Sequence, residues 1–129
     1  MTILIRTMLP FFFIKLKKEY IRINYADIWY IEARGNYIRI VTAEGHHLYL
    51  TTMLQIEKLL PKNEFCRIHR SYIVRIDCIQ SFEREKIRTG GKTLPVGNHY
   101  WKGLLSRFQL LTCGTDLVNM QDESFAMAG

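Results

Sequence analysis

Between Phe11 and Val96, apolar side chains alternate with polar ones through one short run after another, the period-two pattern of strands with one face buried. Phe11 to Leu16 and Tyr20 to Ile23 read as two strands joined at Lys17-Lys18-Glu19 in a tight hairpin. Ile28 to Ala33 is rich in aromatic and β-branched residues, and Tyr37 to Thr42 alternates strictly. Gly35-Asn36 between them, and Glu44-Gly45 ahead of His47 to Leu50, supply residues that tolerate the positive φ of short hairpin loops. Three consecutive hairpins imply an antiparallel sheet. Ile79 to Phe82, Lys86 to Arg88 and Lys92 to Val96 add further strands, the last two turning at Gly90-Gly91. Pro95 has no amide proton to donate to a neighbour, so its strand is an edge or ends there.

Two stretches follow a helical period instead. Thr52-x-x-Gln55 is a capping-box pattern, Met53, Ile56, Leu59 and Leu60 fall on one helical face, and Pro61 stops the run. A short helix covering one side of the sheet is predicted there. After Asn98, Tyr100 and Trp101, Leu104 and Leu105, then Phe108 recur every four residues, the apolar stripe of a last helix. The fold class is therefore mainly β, antiparallel, with one or two short helices.

Glu64 to Ile79 is the segment around which the rest is organised. As an extended strand it sets Arg67 and His69 on one face and Cys66 and Ile68 on the other. The alternation fails at Arg70-Ser71, marking a bend where polar side chains leave the sheet, and Tyr72-Ile73-Val74 resumes an apolar run. Arg67, His69, Arg70 and Ser71 form a cluster whose donors suit phosphate oxygens and base edges.

A length of 129 residues is one domain's worth of core, and charge divides it. Phe11 to Leu110 carries 17 basic against 9 acidic side chains, a formal +8, whereas the stretch 111–129 adds only Asp116, Asp122 and Glu123. The basic part is the patterned part, so a domain over 11–110 is expected between an arm or short edge strand at 1–10 and a tail at 111–129 without period. Such an excess favours a polyanion, nucleic acid before a membrane surface, although a merely soluble basic surface has the same composition. Cys66, Cys78 and Cys113 are odd in number and far apart, matching neither a disulfide framework nor paired zinc ligands, and a reducing cytoplasm is the expected setting. The apolar run Met8 to Ile14 is broken at Pro10 and falls well short of the roughly 20 residues of a spanning helix, so neither membrane insertion nor export is expected.

Phe65-x-Arg67-Ile68-His69-Arg70-Ser71-Tyr72-Ile73-Val74, Ile28 to Ala33 with Gly35-Asn36-Tyr37, and Leu94-Pro95-Val96-Gly97 with Tyr100 stand in this order along the chain. Together, over about Phe11 to Phe108, they resemble the LytTR-type DNA-binding domain, found mostly as the output module of bacterial response regulators in two-component systems. The resemblance implies sequence-specific binding of double-stranded DNA by loops of a β scaffold, in a transcriptional regulator. It implies too that paired domains, a homodimer on DNA, occupy adjacent promoter repeats. No receiver precedes the matching stretch, so control is expected through abundance, a separate receiver or kinase partner, or a region absent from this chain.

Three loops match the family's contact regions: Arg34 to Tyr37, His69 to Ser71 and Gly97 to His99. Arg70 either pairs with guanine or a phosphate, or is held by Glu64 or Asp77. His69 either donates to DNA or satisfies the backbone at the bend. Asn36 is a contact or an ordinary turn residue, while Tyr37 and Arg39 share a strand face that extends the surface, Arg39 toward phosphate. Members commonly carry Ser-Arg where Gly97-Asn98 stands, so one basic contact is missing. Either Asn98 reads adenine, with Lys102 or His99 replacing the charge, or it only caps the helix. The departure keeps open a rival reading, a protein-interaction module of the same fold that no longer binds specific DNA. No phosphate-binding glycine loop, zinc-protease helix or nucleophile elbow occurs, and Ser71 near His69 makes no oriented nucleophile and base. No enzyme, cofactor or metal is expected: His46 and His47 face opposite ways on a strand, and Cys66 reads as a core residue before a redox switch.

Overall fold

The computed structural model describes residues 9–113. The predicted arm at 1–10 and tail at 111–129 lie outside them, except for residues 9, 10 and 111–113. The described chain runs β1 (Phe11–Leu16), β2 (Glu19–Asn24), β3 (Ile28–Arg34), β4 (Tyr37–Thr42), β5 (Gly45–Leu50), α1 (Met53–Leu59), β6 (Phe65–His69), β7 (Tyr72–Arg75), β8 (Ile79–Glu83), β9 (Lys86–Thr89), β10 (Lys92–Pro95) and α2 (Asn98–Leu105). All pairings are antiparallel and fall into three sheets: the β1-β2 hairpin, a five-stranded sheet in the order β5-β4-β3-β7-β6, and a three-stranded sheet β10-β9-β8.

Because side chains alternate, the five-stranded sheet is apolar on both faces and each face has its own cover. Ile31, Ile38, Ile40 and Ile73 meet Met53, Ile56 and Leu60 of the α1 region and Phe12 of β1. Tyr30, Ile68 and Val74 meet Ile87, Leu94, Val96 and Leu104 of the last sheet and α2. Each fully buried isoleucine here contributes roughly 1.5–3 kcal/mol. The sequence shows three hairpins in a row, but the first does not extend the large sheet. A 3-10 turn at Tyr25–Asp27 lays it across one face, where Tyr25 stacks on Phe12 at 5.4 Å and donates its amide to the Pro10 carbonyl.

Local differences from the sequence expectation have simple causes. Lys17-Lys18 alone makes the first turn, with Lys17 at φ 59, and Glu19 already pairs with Leu16. The Thr52 hydroxyl caps α1 by accepting the Gln55 amide at 3.1 Å. Leu59 belongs to the exposed side of that helix, because the chain leaves α1 at Leu60 and buries that residue instead. Asn98 is not a cap. Gly97 takes the cap position without a side-chain bond, since its own amide is held by the Ile68 carbonyl at 2.8 Å and the helix starts there. Phe108 lies beyond the end of α2 and reaches the core by stacking on Phe82 at 5.0 Å.

Candidate nucleic-acid interface

Strand register brings the three sequence-predicted loops to one end of the molecule. β3 ends at Arg34 opposite Tyr37, so Gly35-Asn36 turns there, Gly35 at φ +62. Tyr72, the first residue of β7, lies opposite Glu32, which sets the Arg70-Ser71 turn beside that hairpin. The Ser71 carbonyl accepts the Ala33 amide at 2.9 Å and joins the two loops directly.

The third loop is attached through a defect in β6. Arg67 pairs with Ile73 and His69 with Tyr72, so two steps along β6 match one along β7 and Ile68 is the extra residue of a bulge. Its side chain is fully buried, and its carbonyl, free of the ladder, receives the Gly97 amide. The bulge also overturns one expectation: Arg67 and His69 do not share a face. Opposed residues in a ladder point the same way, so Arg67 goes with Ile73 toward α1, while His69 goes with Tyr72, ring centroids 5.8 Å apart, toward α2.

Each predicted site residue therefore has a definite place. Arg70 is exposed, and among the described residues it pairs with neither Glu64 nor Asp77; Asp77 faces Arg75 instead at 3.4 Å. His69 accepts the Ser71 amide on Nδ1 at 3.1 Å, which satisfies the bend and leaves the proton of the neutral ring on Nε2 as a donor. Asn36 and Tyr37 are exposed at the hairpin tip. Asn98 and Lys102 are exposed four residues apart on one face of α2, with His99 exposed beside them. The amides of Asn98 and His99, in the first turn, have no intrahelical acceptor, a geometry that favours an anion.

Two predicted contacts are occupied within the protein. Arg67 donates from Nε to the His69 carbonyl at 2.8 Å, from Nη2 to the Arg70 carbonyl at 2.6 Å and from Nη1 to Glu57 at 2.6 Å. Arg39 donates to Glu32, its cross-strand partner, at 2.8 Å. Glu32 also lies 3.7 Å from Arg34 and accepts the Tyr72 hydroxyl at 3.1 Å. Burial, aided by Glu32, raises the Tyr72 phenol above its ordinary value and keeps that donor protonated. Arg34, an exposed cation at the hairpin mouth, and Glu32 join the site although neither stands out singly in the sequence. Both follow from period two, since Glu32 and Arg34 share a strand face.

A basic loop cluster at one end of a three-sheet β scaffold defines a module built to meet a polyanion. The family model for the LytTr DNA-binding domain matches residues 18–109, and the chain belongs to this family. It is 33% identical over 82 residues to the CO-responsive transcriptional regulator RcoM of Rhodospirillum rubrum, a match covering 58% of this chain and 35% of that protein. The sensory transduction protein LytT of Bacillus subtilis is 29% identical over 84 residues, covering 60% and 35%. The matched region thus spans about a third of either relative. A LytTr DNA-binding domain from Bacillus cereus shares the fold with a TM-score of 0.65 at 22% identity, over 78% of this chain and 97% of that one.

Proposed function

We propose that this chain binds specific double-stranded DNA through the three joined loops, as the DNA-reading part of a bacterial transcriptional regulator. The observation that carries the reading is Arg70. It is an exposed guanidinium with no side-chain ion pair among the described residues, at the tip of a turn fastened by backbone bonds to the loops on either side. A guanidinium so held suits the bidentate acceptors of guanine or a phosphate. His69, through Nε2, and Ser71 flank it. Asn36 and Tyr37 reach the duplex on one side and Asn98, His99 and Lys102 on the other, while Arg34 adds charge. Arg39 and Arg67 brace the site from within.

The two relatives are named as a transcriptional regulator and a sensory transduction protein, which agrees with a promoter as target and the cytoplasm as the place of action. A domain of this size covers about one half-site, so two copies on adjacent repeats, governed by a separate receiver or kinase, complete the proposal. Selection of bound duplexes from a random library tests it. An enriched motif is expected, and Arg70→Ala should relax preference at one base position by about 1–3 kcal/mol. A library that emerges without any motif removes the function, and an unchanged preference in the variant removes Arg70 from the reading set.

A further inference from the structure

We infer that Arg67 is a positioning residue that gives the Arg70 bend its shape, and that Glu57 on α1 holds its guanidinium for that task. The inference rests on the reading that the bend meets DNA. It starts from the bulge at Ile68, which turns Arg67 away from His69 and under the bend. There one side chain serves two successive turn carbonyls, those of His69 and Arg70, and a carboxylate from another element. The Arg67 side chain is only 17% exposed, so these bonds form largely out of water. A planar guanidinium with donors in fixed directions meets three acceptors at once, whereas an ammonium on a flexible stem does not reproduce that spacing.

Without the clamp the two carbonyls turn to solvent and the bend samples several shapes. The ordering of Arg70 then falls on the binding step, and affinity for the selected site drops. Attraction to any duplex is unaffected, because it depends on the number of phosphates neutralised and Arg67 neutralises none. A direct phosphate contact behaves in the opposite way. Lysine would restore it, and glutamine would flatten the salt dependence on every sequence.

The test compares wild-type full chain with Arg67→Lys, Arg67→Gln and Glu57→Gln. Two labelled duplexes serve as probes, one enriched by selection and one of random sequence, and amide exchange at Ser71 is followed without DNA. Both Arg67 variants should lose about tenfold or more in affinity for the selected duplex and speed Ser71 exchange, with unchanged binding to the random duplex. Glu57→Gln should shift both readouts in the same direction by less. Rescue by lysine, or a loss of about 0.9 from the salt slope of Arg67→Gln on random duplex, overturns the inference and makes Arg67 a phosphate contact. Should the Arg67 variants not unfold cooperatively, Glu57→Gln decides: faster Ser71 exchange supports the clamp and unchanged exchange removes it. A wild-type chain that enriches no duplex defeats the proposed function, while the exchange measurement still judges the clamp.

Discussion

At Gly90 the three-stranded sheet packs against the ring of Trp29 from the large sheet. The glycine sits at φ +57 in the turn between β9 and β10, and a Cβ there would lie 2.3 Å from Cε3 of Trp29. Trp29 is itself the extra residue of a bulge in β3, so its ring leaves the large sheet to pack on this turn. Gly90→Ala therefore meets both a ring and an unfavourable backbone region and should cost about 2–3 kcal/mol. Gly91→Ala, at φ +76 with open space around it, should cost about 1 kcal/mol. Urea midpoints compare the two, and equal losses would show that the ring gives way freely. Cys66 is a second case in which surroundings decide. Burial pushes its thiol above the ordinary value although Arg107 pulls it back, and Sγ lies 3.5 Å from the Arg67 carbonyl. Alkylation should thus be over tenfold slower at Cys66 than at exposed Cys113, as read by mass spectrometry, and comparable rates would restore Cys66 as a reactive thiol.

The strands and the 3-10 turn after β2 carry a shared sensitivity to alkali. Tyr25, Tyr30, Tyr49 and Tyr72 each have the phenol raised above 10.0, chiefly by burial, and the Cys66 thiol is raised above 9.0. Between those ordinary values and the folded ones, the unfolded chain gives up protons that the native one keeps. Stability is therefore intact below about pH 9 and declines as pH rises further. The urea midpoint should fall between about pH 8 and about pH 10.5, and Tyr72→Phe should lessen that fall; a midpoint that rises contradicts the assignment. The strands themselves were legible because alternation and turn residues mark each one locally. The pairing of β3 with β7 was not, since apolar strands of similar pattern compete for every place in a sheet. The bulge at Ile68 left no trace in composition, yet that single extra residue sends Arg67 and His69 to opposite faces. At the loop cluster, His69, Arg70 and Asn98 were identified as residues, but whether each side chain faces outward or is used internally depended on contacts from other elements.

At the scale of the whole molecule, charge and shape separate two kinds of contact. The chain carries a formal +6, with the excess in residues 11–110, and binding to any duplex should weaken with salt at a slope of about −0.9 per phosphate met. Lys102, a flexible point charge on the exposed side of α2, should be such a contact. Lys102→Ala is expected to weaken selected and random duplexes alike and to reduce the slope by about 0.9, in contrast to the base-selective loss at Arg70. Fluorescence titrations across a salt series measure both quantities, and a loss confined to one sequence would make Lys102 a reader. The seams between the loops, Ser71 to Ala33 and Gly97 to Ile68, are made of peptide groups alone. Every amino acid but proline brings the same peptide N–H and carbonyl, so the frame is indifferent to what projects from positions 36, 70 and 98. New target preferences can then arise by exchanging side chains one at a time, without refolding the platform that presents them.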